Sequence, residues 1–130
     1  MLQAMIDSPC EIWIHRWQRA RRWRRRVEAE LSPLGLTLAQ WLVLDGIATL
    51  ILETADAVSQ VQVARRLEMD KATLSRVMDV LVRRHLIDRA PSYPDPAYRI
   101  YLTELGKGAA AQGRARVETA SASELETAPG

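Results

Sequence analysis

The sequence predicts a mainly α-helical fold with one small β-hairpin, and three observations support this prediction. Apolar residues recur at helical spacing in several segments, which is the main sequence signal for amphipathic helices. Two short segments late in the chain alternate apolar and polar residues on either side of a proline-rich loop, as hairpin strands do. At 130 residues the chain is long enough to bury one core, so we expect one domain.

A long first helix is predicted over residues 8–31. Ser8 can cap it, Pro9 suits the first helical position, and Glu11 completes a capping box. The Ser-Pro pair that follows ends the helix after about 34 Å. Because helices this long in small domains often pair with another subunit, we expect this helix to be a dimerisation element.

The first helix also carries a concentration of arginine. The sequence leaves three interpretations open: a solvated face, a patch for nucleic acid or a membrane surface, and pairing with acidic residues of a partner subunit. The arginines surround much of the helix, and the chain has no apolar run of roughly 18 residues, so we expect no membrane partner. These residues are Arg16, Arg19, Arg21, Arg22, Arg24, Arg25 and Arg26.

A second helix is predicted to begin after Thr37 and to end near Glu53. Thr37 and Gln40 repeat the capping-box pattern. The apolar residues that follow at helical spacing are Trp41, Leu44, Ala48 and Ile51. Residues 54–58 are expected to form a loop.

Two short helices joined by a tight turn are predicted next. Ser59 can cap the first of them, and Asp70 can cap the second, which is expected over residues 71–84. The apolar stripe of the second helix consists of Leu74, Val77, Met78 and Leu81, and its outward face consists of Lys71, Ala72, Thr73, Ser75 and Arg76. Short and cationic side chains let a helix approach the major groove and supply contacts to bases and phosphates, which favours DNA binding over a merely solvated face.

Charge is informative by its distribution rather than its sum. The formal net charge of +2 is no argument for nucleic acid. Residues 59–116, however, contain eleven Lys or Arg against six Asp or Glu, a local excess of five. A basic excess around a helical pair is the expected electrostatic signature of a nucleic-acid-binding surface.

The remaining elements are a hairpin and a last helix. Strands are predicted over residues 86–89 and 98–102, with the loop at 90–97 as the tip of a wing. Thr103 can cap a final helix over 104–118, a second expected dimerisation element, and residues 119–130 are expected to be a flexible tail. The predicted organisation is one domain over 1–118, with a DNA-binding lobe at 37–102.

This order of elements is the winged helix-turn-helix layout, and the sequence resembles the MarR (multiple antibiotic resistance regulator) family of bacterial transcription factors. The resemblance rests on LTLAQWLVL at 36–44, VQVARRL at 61–67, ATLSRV at 72–77 with Leu81, and LIDR at 86–89 leading to LTELG at 102–106. It implies a homodimeric transcriptional regulator, a repressor, whose two recognition helices enter successive major grooves of a pseudo-palindromic operator in double-stranded DNA.

The resemblance also implies roles for particular residues. Ser59 and Gln60 are expected near backbone phosphate, and the wing at 90–97, with Asp95 and Arg99, is expected near the minor groove. The major-groove residues would be Lys71, Ala72, Thr73, Ser75 and Arg76. We expect the protein in the bacterial cytoplasm, on the nucleoid when bound, because it has a single cysteine and no secretory signal.

Two departures from the family pattern favour an alternative function. Ala97 stands where family wings carry an arginine, and Arg99 could replace it only if the hairpin were re-registered. The usual last dimerisation helix is also expected to be missing. The alternative hypothesis is therefore a winged-helix protein-interaction module that has lost DNA reading.

A sensing role is a further expectation from the resemblance. Trp13, Arg16, Trp17 and Trp41 are candidates for a pocket that binds a small aromatic acid. The simpler interpretation, which the sequence favours, is that these tryptophans are core and interface residues. Cys10, at the second position of a helix where the dipole favours a thiolate, is a candidate redox sensor. We expect no enzymatic activity, cofactor or metal, because the sequence lacks a glycine-rich phosphate loop, a nucleophile elbow and a paired-histidine motif.

Overall fold

The computed structural model describes residues 1–54, 57–91 and 98–127. The helices are α1 (Leu2–Ile6), α2 (Pro9–Leu31), α3 (Leu38–Thr54), α4 (Gln60–Leu67), α5 (Lys71–Arg83) and α6 (Glu104–Thr127), with a single 3-10 turn at Ser32–Leu34. The strands are β1 (Val58–Ser59), β2 (Ile87–Pro91) and β3 (Tyr98–Leu102). The mainly helical fold class is confirmed, while α1 and β1 were not predicted.

The sheet has three antiparallel strands in the order β1-β3-β2, rather than the two of a simple hairpin. Arg99, in the central strand, lies opposite Ser59 of β1 and opposite Ala90 of β2. The loop predicted at 54–58 is wrong at both ends, because Thr54 is the last residue of α3 and Val58 lies fully buried in the two-residue strand β1. Two residues are too few to show the alternation by which strands are recognised in a sequence.

The long helices α2 and α6 run antiparallel and pack against each other. Trp23 Nε1 donates to Ser121 Oγ at 2.9 Å, and Arg22 and Arg26 pair with Glu124, which is only 4% exposed. The prediction of a flexible tail from residue 119 is wrong for residues 119–127, because these contacts with α2 hold the end of α6 in helical form. Residues 128–130 lie outside the described chain.

Small residues allow α6 to approach the core closely. A Cβ atom on Gly113 would lie 2.2 Å from Trp41 Cδ1, so only glycine fits against the indole there. Trp41 is buried, and its Nε1 donates to the backbone oxygen of Ala110 at 3.2 Å. Helix α6 thus fits closely against α3 because it carries glycine and alanine there instead of bulky side chains.

The core lies mainly between α3 and the helices around it. Val43, Leu44 and Ile47 of α3 are completely buried, together with Leu74 and Met78 of α5. At about 1.5–3 kcal/mol for each fully buried large apolar side chain, these contacts fix how α5 is oriented on the domain. Among the described residues, no single helix is long and apolar enough to cross a membrane; α2 with its following turn and α3 pass such a test only as a pair bent by 81°.

Candidate nucleic-acid interface

Helix α5 buries one side and exposes the other, as its sequence pattern predicts. Leu74, Met78 and Leu81 have no exposed surface, whereas Lys71, Ala72 and Arg76 are exposed. Thr73 and Ser75 are half-buried on the same outward side. The outward face therefore offers two cations and short polar groups to a partner.

Asp70 organises the N-terminus of α5. One of its carboxylate oxygens accepts a hydrogen bond from the Thr73 backbone N–H at 2.9 Å, and the other accepts from Thr73 Oγ1 at 2.6 Å. The hydrogen bond from the Thr73 hydroxyl, and to a lesser extent the one from its backbone N–H, hold the pKa of Asp70 below its ordinary value of 3.8. The carboxylate is therefore ionised at neutral pH. The cap predicted from the sequence is thus present, and it also restrains the Thr73 side chain.

The N-terminus of α4 lies beside α5. Ser59 and Gln62 form the reciprocal capping box that the sequence predicts, with Ser59 Oγ accepting from the backbone N–H of Gln62 at 3.3 Å. Gln60 Nε2 lies 2.9 Å from Ser75 Oγ and donates to it. The sequence did not predict this hydrogen bond between the two short helices. A Gln and a Ser that lie fifteen residues apart form no pattern from which a contact can be inferred.

The sheet brings Arg99 to the same region, but not to the tip of a wing. Arg99 is the second residue of β3, near the loop end of the hairpin, where it lies opposite Ser59 just before the first turn of α4. Because its place is in the central strand, Arg99 does not replace the arginine that family wings carry beyond the strand end. Asp95 and Ala97 lie outside the described residues, as does the rest of the loop at 92–97.

Polar contacts at the C-terminal end of α5 fasten it to the rest of the domain. Arg84 Nη1 donates to the backbone oxygen of Gly35 at 2.7 Å and to Gln40 Oε1 at 3.1 Å. Asp79 pairs with Arg89 of β2 at 2.5 Å. His85 adopts a left-handed conformation with φ of 60°, at a helix-ending position where glycine is the energetically favoured residue.

The four residues predicted for a ligand pocket are divided by the structure. Trp13 and Trp17 are 65% and 59% exposed on α2, where Arg16 stacks on Trp13 and Arg21 on Trp17. Trp41 is a core residue bonded to α6, so its assignment to this pocket is wrong. The difference in exposure follows from helix packing. Trp41 lies on the buried side of α3, whereas Trp13 and Trp17 lie on the N-terminal half of α2, which extends past the end of α6.

Other features of α2 bear on binding. An open cleft of about 550 Å³ is lined by Trp17, Arg21, Arg24, Arg25 and Glu28. Cys10 is exposed at the second position of the helix. Within residues 1–54, 57–91 and 98–127, no group of three or more His, Cys, Asp or Glu side chains could hold a metal ion.

A known protein family and solved structures share this architecture. A family model described as the MarR family matches residues 34–95, which contain α3, α4 and α5. A MarR-family transcriptional regulator from a Rhodococcus species is 26% identical with a TM-score of 0.78, and the match covers 95% of this chain and 86% of that chain.

Two further solved structures resemble this chain and contain ligands. A mutant of MarR from E. coli complexed with operator DNA is 25% identical with a TM-score of 0.77, covering 100% of this chain and 89% of that chain. A MarR-family protein from Mycobacterium tuberculosis in complex with salicylic acid is 25% identical with a TM-score of 0.68, covering 95% of this chain and 87% of that one.

Proposed function

We propose that this chain is a winged-helix transcription regulator of the MarR family, to which it is similar, and that it represses transcription by binding operator DNA through α5. Proteins of this family are regulators rather than enzymes. The observation that carries the proposal is the division of α5 into a fully buried apolar side and an exposed side that bears Lys71 and Arg76. We place this activity in the bacterial cytoplasm, on the nucleoid when the protein is bound.

The proposed contact surface comprises three parts. The first turns of α5 enter the major groove, where Lys71, Ala72, Thr73, Ser75 and Arg76 face the bases and nearby phosphates. The first turn of α4, with Ser59 and Gln60, lies against the backbone, and its N-terminal dipole favours phosphate. Arg99 adds a cation beside Ser59. Asp95, which lies outside the described residues, stays a predicted minor-groove contact.

Binding to duplexes selected from a random pool tests this surface. Arg76→Ala and Lys71→Ala each remove one cation from α5, and we expect a loss of affinity and a smaller dependence of affinity on salt. Lys107→Ala is the matched control, because Lys107 is an exposed cation on α6 that pairs with Glu104. Equal affinity of all three variants and the wild type would refute the assigned surface.

We also propose that the protein acts as a homodimer. Met5, Ile6, Ile12 and Trp13 are exposed apolar residues on α1 and on the part of α2 that extends past α6. A patch of this kind is typical of an interface. A second copy that covers it would set two α5 helices side by side, as a pseudo-palindromic operator requires.

Sedimentation equilibrium of the wild type and of Trp13→Glu tests the dimer. A charge in the centre of an apolar interface should convert the dimer to a monomer, while the helical content of the protein stays unchanged. Leu52→Glu serves as the control, because Leu52 is an exposed apolar residue on α3, away from this patch. A monomeric wild type would refute the proposal.

A small aromatic acid is the proposed effector. The α2 cleft combines an aromatic ring, Trp17, with three arginines, which suits a ring that carries a carboxylate. Calorimetric titration with salicylate, the ligand of the M. tuberculosis relative, should show binding that Trp17→Ala weakens and Trp23→Phe does not. Redox sensing by Cys10 stays a prediction supported by its exposure on α2.

A further inference from the structure

The hydrogen bond between Thr73 and Asp70 has a fixed direction. Thr73 Oγ1 lies 2.6 Å from Asp70 Oδ1, while Asp70 Oδ2 accepts the Thr73 backbone N–H. An ionised carboxylate accepts hydrogen bonds and cannot donate one. The single hydroxyl hydrogen of Thr73 therefore points at Asp70.

This direction decides what Thr73 can offer to a partner. A hydroxyl has one hydrogen to donate and two lone pairs to accept with. With the hydrogen committed to Asp70, the oxygen presents only lone pairs on the outward side of α5. Short bonds to a charged acceptor are among the stronger hydrogen bonds in proteins, so approach of a base is not expected to reverse this one.

We propose that Thr73, held by Asp70 as a hydrogen-bond acceptor, selects a base that presents an amino group in the major groove. This inference rests on the proposed function, because it assumes that α5 lies in that groove. The bases with such a group are adenine, through N6, and cytosine, through N4. Guanine presents O6 and N7, and thymine presents O4, all of which are acceptors that would face the lone pairs of Thr73.

Asp70 is thus a positioning residue that determines base preference through Thr73. Asn is as good a helix cap as Asp, so Asp70→Asn should leave α5 intact. Its side-chain oxygen would accept the Thr73 backbone N–H, and its amide group would donate to Thr73 Oγ1. The hydroxyl hydrogen would then be released to point outward, and Thr73 would become a donor.

The test is to select duplexes from a random pool with the wild type and with each variant, and to compare the base preferences position by position. Thr73→Val keeps the shape but has no hydroxyl, so one position should lose a preference for A or C of about fivefold or more. Thr73→Ser keeps the acceptor and should retain the preference. In Asp70→Asn the base preference at the same position should shift toward G or T, and the preference for cytosine should fall most.

Glu68→Gln is the control for charge. It removes an exposed carboxylate from the adjacent turn, so it should change affinity equally for all sequences and leave every base preference unchanged. Unchanged preferences in both Thr73→Val and Asp70→Asn would overturn the inference while DNA binding stood. A wild type that bound no duplex would overturn the inference together with the proposed function.

Discussion

Two glycines in the first turns of α6 should respond oppositely to the same substitution. A Cβ atom on Gly106 would lie 1.9 Å from the backbone oxygen of Leu86, a distance at which the backbone must move. A Cβ atom on Gly108 would meet no atom within 4 Å. We therefore expect Gly106→Ala to destabilise the protein and Gly108→Ala to stabilise it.

The size of the Gly106→Ala effect follows from what must shift. Overpacking costs about 1–3 kcal/mol, and displacing the Leu86 oxygen weakens its bond from the Thr103 N–H, worth about 1 kcal/mol. Alanine restores about 0.5–1 kcal/mol of helix propensity. The net loss is about 2 kcal/mol, or roughly 7 °C in melting temperature for a chain of this size.

Thermal and urea denaturation of the two variants measure this difference. Gly108→Ala has only the propensity gain and should melt roughly 2–4 °C above the wild type. Gly106→Ala should also weaken DNA binding at growth temperature, because Leu86 lies in the short link between the end of α5 and the start of β2. If Gly106→Ala proved as stable as Gly108→Ala, the close packing of α6 on Leu86 would be wrong.

Three other substitutions give further tests. Leu74→Ala should lower the free energy of unfolding by about 2–5 kcal/mol in urea denaturation, because Leu74 is completely buried beneath the outward face of α5. Glu124→Ala should cost about 2 kcal/mol, less than for a fully buried ion pair, because Arg22 and Arg26 are 41% and 37% exposed. The folded-state pKa of Asp70 lies below 3.8, so its stabilising contribution is complete at neutral pH and lost as the pH falls below 3.8. The stability of the wild type relative to Asp70→Asn should therefore decline as the pH is lowered through and below 3.8 in urea denaturation series.

Local signals made the helices and their N-terminal caps predictable. Ser8, Ser59 and Asp70 all accept the backbone hydrogen bonds that their positions predict, at 2.9 to 3.3 Å. The apolar stripe of α5 could be predicted from the sequence because the spacing of its residues matches one face of a helix. The split of that helix into buried and exposed sides follows from the same spacing, which is why the candidate interface could be located from sequence.

Contacts between distant segments could not be predicted in the same way. The end of α6 has a run of Ala, Ser and Glu that reads as weakly helical, and its order depends on Trp23 and the arginines of α2. Whether a tryptophan is buried or exposed depends on which helix covers it: Trp41 is buried in the core, and Trp13 is exposed. The Gln60–Ser75 bond likewise exists only once α4 and α5 are packed together.

Chemical-shift mapping by NMR tests the central claim most directly. The protein, labelled with ¹⁵N, would be titrated with its selected duplex in buffer of moderate salt. We predict that the largest amide shifts fall at residues 59–60 and 71–76, with α6 little affected. Shifts confined to the arginines of α2, with 71–76 unchanged, would contradict a function in which α5 reads double-stranded DNA.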